Sequence, residues 1–128
     1  MTNDELQTLF SQPPASFVWS PAADGSRTIG TAEGCVIDLW PGSVEMTALF
    51  PPDRPTIAAR SGTLLQLLLV ALRPDWQSAS SWLAQQMRLA ARSKQPIYES
   101  LNVSRQVSFV SHRGASKATL KVQRARQS

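Results

Sequence analysis

The chain has 128 residues, of which 42% are hydrophobic and 17% are charged, and its formal net charge is +4. This length predicts one domain, residues 1–128, with a core of its own, and the composition argues against global disorder. Cys35 is the one cysteine, which excludes an internal disulfide and a paired-cysteine metal site; it is typical of a reducing compartment, so we expect a cytoplasmic protein.

The charges are divided unevenly along the chain. Residues 1–53 contain seven acidic residues and one basic residue, a net charge of −6. Residues 54–128 contain twelve basic and two acidic residues, a net charge of +10. Two interpretations stay open: the halves neutralise each other within one fold, or the basic half attracts an anionic partner such as nucleic acid.

The N-terminal segment, residues 1–14, predicts a short helix followed by a linker. Its apolar residues share one helical face, with Thr2 or Asn3 as the N-cap and two prolines at positions 13 and 14 as the stop. The acidic start lacks the basic residues and apolar core of a secretory signal, although a chain from which a signal had been removed would look the same.

Four strands are predicted next, separated by turns at Asp24-Gly25 and Pro41-Gly42. In the fourth strand apolar residues alternate with Glu45 and Thr47, which is typical of a sheet with one covered face. The four predicted strands are Ala15–Ser20, Arg27–Gly34, Cys35–Trp40 and Ser43–Phe50.

The most apolar stretch of the chain is RSGTLLQLLLVALRPDW, residues 60–76. A membrane-spanning helix needs about 20 mostly apolar residues, whereas Gly62–Leu72 has eleven, so we predict no membrane span. The pattern predicts a helix over Ser61–Leu72, capped by Thr63 and Gln66 and ended before Pro74. Its leucines cover nearly every side, which is typical of a helix buried all round.

An amphipathic helix follows, from Asp75 as N-cap to Ser93, and then a loop or short strand, KQPIYESLN. Apolar residues alternate with polar ones at 107–109 and 118–122, which predicts a final hairpin with a turn at Gly114. Residues 124–128 are expected to fray. The order α-β-β-β-β-α-α-β-β predicts an α+β fold, an antiparallel sheet with the two central helices on one face.

Few residues in the chain carry the chemistry of catalysis. His112 is the one histidine and is expected in a surface turn, while Cys35 is expected to be a buried, inert thiol. Asp38 and Glu45 are expected on neighbouring strands, either holding a cation or proton between them or, as is far commoner, separated or neutralised by a Lys or Arg. Phosphate-loop, dinucleotide, zinc-protease and nucleophile-elbow motifs are absent from the sequence, so we predict no catalytic residues, no metal ligands and no cofactor.

The leading functional hypothesis is a non-enzymatic protein–protein interaction module that forms a homo-oligomer. It depends on the apolar helix, because one amphipathic helix and a sheet leave part of its surface to be covered by a protein partner. The expected interface residues are Leu65, Leu69, Trp82 and Met87.

The alternative hypothesis is binding of nucleic acid or another polyanion through the basic C-terminal hairpin. Basic residues are concentrated there without acidic ones, and side chains of this kind contact phosphates. The expected contacts are Arg105, Arg113, Lys117, Lys121 and Arg124.

Overall fold

A computed structural model describes residues 1–113 and 116–124. The helices of the described part are α1 (Asn3–Ser11), α2 (Pro55–Leu72) and α3 (Ala79–Arg92). Its strands are β1 (Val18–Pro21), β2 (Thr28–Ala32), β3 (Cys35–Trp40), β4 (Ser43–Leu49), β5 (Ile97–Asn102), β6 (Val107–His112) and β7 (Lys117–Gln123). The predicted turn at Gly114 and residues 125–128 of the predicted tail lie outside the described residues.

The strands form one antiparallel sheet with the spatial order β1-β2-β3-β4-β7-β6-β5. The predicted α+β class and antiparallel sheet are therefore confirmed. β5 is an additional strand, in the stretch where the sequence left a loop or a short strand open. It completes a meander, β5-β6-β7, that returns the chain to β4.

Alternation along the strands gives the sheet one apolar face and one mixed face. In β3 and β4 every second residue is buried, and Ile37 pairs with Met46, which in turn pairs with Leu120 of β7. These side chains join the buried residues of the three helices in one core cluster. We call this the inner face; the opposite, outer face carries Val36, Asp38 and the other side chains that alternate with it.

The cap of α1 is the one expected from the sequence. The Thr2 hydroxyl accepts a hydrogen bond from the Glu5 amide at 3.2 Å, and the Glu5 carboxylate accepts one from the Thr2 amide at 3.1 Å. This reciprocal pair satisfies free amides in the first turn. It fixes a helix that buries Leu6 and Phe10, and the Phe10 ring meets Phe17 edge-on at 5.6 Å.

Gly30 is required by the packing of β1 on β2. The Trp19 ring lies across Gly30, its partner in the strand pair, and a Cβ on this glycine would come within 2.5 Å of the indole. The glycine weakens the strand signal in the sequence, yet it makes room for the aromatic side chain that covers it.

α2 begins at Pro55, six residues before the predicted start. Proline is favoured at the first helical position because it has no amide hydrogen to leave unsatisfied there. Thr63 therefore lies inside the helix, where its hydroxyl donates to the Ala59 carbonyl at 3.1 Å, and the predicted Thr63–Gln66 capping box is wrong.

α2 is buried on a broad stripe but not all round. Its buried residues face the sheet and the flanking helices, whereas Val70 is 43% exposed. Among the described residues, α2 is the one helix long and apolar enough to cross a membrane. This is weak evidence for a membrane span, because the core helix of a soluble protein can have the same length and composition.

α3 begins at Ala79 with Ser78 as N-cap, so the predicted cap at Asp75 is wrong. Residues 74–78 instead form a turn that buries Trp76 against Trp82, with ring centroids 5.4 Å apart. Burial of this large aromatic side chain stabilises the turn. The predicted amphipathic pattern is confirmed, since Ala79, Leu83 and other inward positions are buried.

Two neighbouring residues of α2 test how the core depends on this helix. Leu69 is fully buried and Val70 is 43% exposed. Leu69→Ala is expected to lower the free energy of unfolding by about 2–5 kcal/mol because it opens a cavity, and Val70→Ala by less than about 0.5 kcal/mol. Urea unfolding followed by circular dichroism measures both, and equal losses would contradict this packing.

Candidate functional site

Asp38 and Glu45 face each other across β3 and β4 on the outer face, as the sequence predicted. Each lies beside a cation: Arg27 Nε is 2.8 Å from Asp38 Oδ1, and Lys121 is the partner of Glu45 on β7. Neutralisation by a Lys or Arg is therefore shown for Asp38, whereas Glu45 faces Lys121 without an ion pair among the described residues. Within residues 1–113 and 116–124, no cluster of three or more His, Cys, Asp or Glu side chains is placed to hold a metal ion.

Cys35 and His112 lie on opposite faces of the sheet. Cys35 is buried on the inner face, where its Sγ lies 3.6 Å from Ser61 Oγ, and Ser61 donates to the Leu49 carbonyl at 2.7 Å. His112 ends β6 on the outer face, between Ile97 and Lys117, so its expected place in a turn is wrong. The two side chains cannot form a thiolate–imidazole pair.

Of the four residues predicted for a partner interface, two are fully buried in the core and two are partly exposed. Leu65 and Leu69 are fully buried inside the chain. Trp82 and Met87 are partly buried against the same core. Leu65 and Leu69 therefore belong to the chain's own core, whereas Trp82 and Met87 keep part of their surface exposed, and a partner interface there stays a prediction.

The predicted basic contacts do not form one face. Lys117 and Lys121 project from β7 onto the outer face, whereas the Arg113 guanidinium donates to the Ser93 carbonyl at 2.8 Å, beside the end of α3. Arg105 and Arg124 lie near the opposite end of the strands; Arg105 is 3.5 Å from Asp75. Polyanion binding stays a prediction, with Lys117 and Lys121 as the pair that shares a surface.

The two edges of the sheet differ in how they are protected. β1 has four residues and includes Pro21, which has no amide hydrogen to offer to another strand. β5 has six residues, with neither a proline nor a basic residue. Natural sheets block edge pairing with short strands, prolines and lysines, so β1 carries such protection and β5 lacks it.

β5 is held rigidly from the inner side. The Tyr98 hydroxyl donates to Gln86 Oε1 of α3 at 2.6 Å, and its ring packs on Phe109 at 6.4 Å. At the other end of the strand, Asn102 Oδ1 accepts hydrogen bonds from the Arg105 amide at 3.2 Å and the Ser104 hydroxyl at 3.0 Å. The free backbone edge is therefore presented in a fixed, extended conformation.

Apolar side chains stand exposed along this edge. Ile97 is 47% exposed, Leu101 is 67% exposed and Val103, just beyond the strand, is 74% exposed. Leu101 and Val103 border a groove of about 330 Å³ that also touches Lys121. Unpaired backbone groups on a sheet edge are the feature that proteins use to bind an extended segment as a further strand.

We call Ile97–Val103 the open edge. Sequence reasoning missed it, although Ile97, Glu99 and Leu101 do alternate with Tyr98 and Ser100 in the pattern of a strand. No family model, curated protein or solved structure matches this chain.

The burial of Cys35 predicts an unreactive thiol. Burial raises the pKa of the thiol, with a smaller opposing effect of the Ser61 hydrogen bond, so less thiolate is present at neutral pH than in an exposed cysteine. Iodoacetamide should label the folded protein slowly and the urea-unfolded protein rapidly, as read by mass spectrometry. Rapid labelling of the folded protein would revive the nucleophile hypothesis.

Proposed function

We propose that this chain is a small protein–protein interaction module that pairs with a second copy of itself along the open edge. The observation that supports the proposal is the contrast between the two sheet edges: β1 is short and ends in a proline, whereas β5 is longer, has no proline or lysine, and exposes Ile97 and Leu101 beside the single charge of Glu99. An unprotected edge of this kind is a ready template for another strand.

The residues of β5 suit a second copy of β5 in antiparallel orientation. A two-fold axis at Ser100 would place Ile97 opposite the second copy's Val103, apolar against apolar. It would also place Glu99 opposite Leu101 instead of opposite another carboxylate, and so avoid a destabilising pair of like charges. The sheets of the two copies would then continue into each other through the edge hydrogen bonds.

This dimer is expected to be weak. Pairing of a single six-residue strand buries less surface than the roughly 1,200–2,000 Å² of a standard stable interface. Association should therefore depend on concentration in the micromolar range. The rigid support of β5 by Tyr98 and Asn102 favours binding, because little conformational entropy is lost when the edge pairs.

A second carboxylate on the open edge should abolish the pairing. Leu101→Glu would set a carboxylate opposite Glu99 of the second copy on both sides of the two-fold axis, and like charges directly opposite each other destabilise a strand pair. Because Leu101 is 67% exposed, the fold of the single chain should be unaffected. Sedimentation velocity across the micromolar range should show a monomer–dimer equilibrium for the wild type and only monomer for the variant.

Val18→Glu is the matched control. Val18 lies on the protected edge strand β1 and is 72% exposed, close to the value for Leu101, so the same substitution adds the same charge at a similar surface site. This variant should dimerise like the wild type. A wild type that stays monomeric at every concentration, or equal loss of dimer in both variants, would refute pairing along β5.

A further inference from the structure

A polar cleft of about 890 Å³ lies at the end of the sheet where α2 finishes and β7 finishes. Asn3, Gln106 and Gln123 contribute polar side chains to its wall. Arg73, just after α2, and Arg124, just after β7, contribute two guanidinium groups. The cleft does not include the open edge, but it shares Gln106 and Gln123 with the groove beside that edge.

The Arg73 guanidinium is fixed by backbone carbonyls. Its Nε donates to the Arg105 carbonyl at 3.0 Å, its Nη1 to the Leu72 carbonyl at 2.9 Å, and its Nη2 to the Gln123 carbonyl. A guanidinium has five N–H donors, so two of them are not used by these contacts. The three carbonyls orient the group but supply no negative charge to balance it.

The Arg124 guanidinium is also bound by neutral acceptors. Its Nη groups donate to the Met1 carbonyl and to Asn3 Oδ1. Its Nε is enclosed and has no hydrogen-bond partner within residues 1–113 and 116–124. Three of its five N–H donors are thus unused by these contacts, and a buried donor without an acceptor costs free energy.

The two cations are close enough to repel each other. Burial lowers the pKa of Arg124, and the charge of Arg73 lowers it further. Burial also lowers the pKa of Arg73; Asp75 opposes this shift and Arg105 adds to it. Neither Arg73 nor Arg124 forms an ion pair with a carboxylate in the described part of the chain, and the nearest cation to Asp75 is Arg105, at 3.5 Å.

We propose that the cleft between Arg73 and Arg124 binds the phosphate group of a small phosphorylated molecule. A phosphate dianion balances two guanidinium charges, whereas a carboxylate balances one. The cleft is much larger than a free phosphate and falls within the 300–1,000 Å³ typical of small-molecule sites. The Asn3 amide is already used, because it donates to the Trp40 carbonyl and accepts from Arg124. The amides of Gln106 and Gln123 are the donors and acceptors for the hydroxyl groups of an attached polar body.

Isothermal titration calorimetry at low salt tests the site with inorganic phosphate, AMP and adenosine as probes. We expect phosphate and AMP to bind and to compete with each other, with AMP binding more tightly through its polar body. Adenosine should bind much more weakly because it lacks the charge. Tighter binding of AMP than of phosphate would also distinguish a site for phosphorylated molecules from a site for the free phosphate ion.

Arg124→Gln should weaken phosphate and AMP binding about tenfold or more, because it removes a charge-assisted donor. Arg88→Gln, at an exposed position of α3, removes the same charge elsewhere and should leave binding unchanged. No binding of phosphate or AMP to the wild type overturns the proposal whether or not the variant folds. Equal binding of AMP and adenosine, or an equal loss in both variants, overturns it as well.

Discussion

The pairing of β4 with β7 is the constraint on which the rest of the structure depends. It joins the first four strands to the last three by setting Val44 against Val122, Met46 against Leu120 and Ala48 against Ala118 on the inner face. Because β7 is fixed beside β4, the preceding meander runs outwards, so β5 becomes the far edge of the sheet. The open edge is therefore a consequence of topology, and the residues of β5 determine what that edge can bind.

The same pairing brings the acidic and basic halves of the chain together. Lys121 of β7 faces Glu45 of β4 on the outer face, and Arg54 is 3.0 Å from Glu33. The two halves thus partly neutralise each other, one of the two interpretations that the sequence left open. Such exposed pairs add little stability. The positive charges that the proposed phosphate site uses lie at the end of the sheet. There Arg73 and Arg124 are hydrogen-bonded only to neutral acceptors in the described part of the chain.

Local patterns predicted the architecture but not the two candidate sites. The bounds of Cys35–Trp40 and the capped first helix follow from alternation and cap residues, which act over a few positions. The start of α2 was missed because its proline looks like part of a connector. β5 was left open between a loop and a short strand because its alternation is short and follows a proline. The approach of Arg73 to Arg124 depends on the register of strands distant in sequence, which no local pattern carries. The leucine content of α2 likewise predicts that the helix is buried. It does not indicate whether residues of the same chain or of a partner chain cover it.

Hydrogen–deuterium exchange of the wild type at low and high protein concentration tests the central claim, pairing along β5, most directly. Edge amides that enter a strand pair become protected from exchange, while amides elsewhere on the surface do not. The account predicts that protection of residues 97–103 increases with concentration and that protection of Val18–Pro21, on the other edge, stays constant. Exchange in residues 97–103 that is independent of concentration, or protection that grows instead at β1, would contradict it.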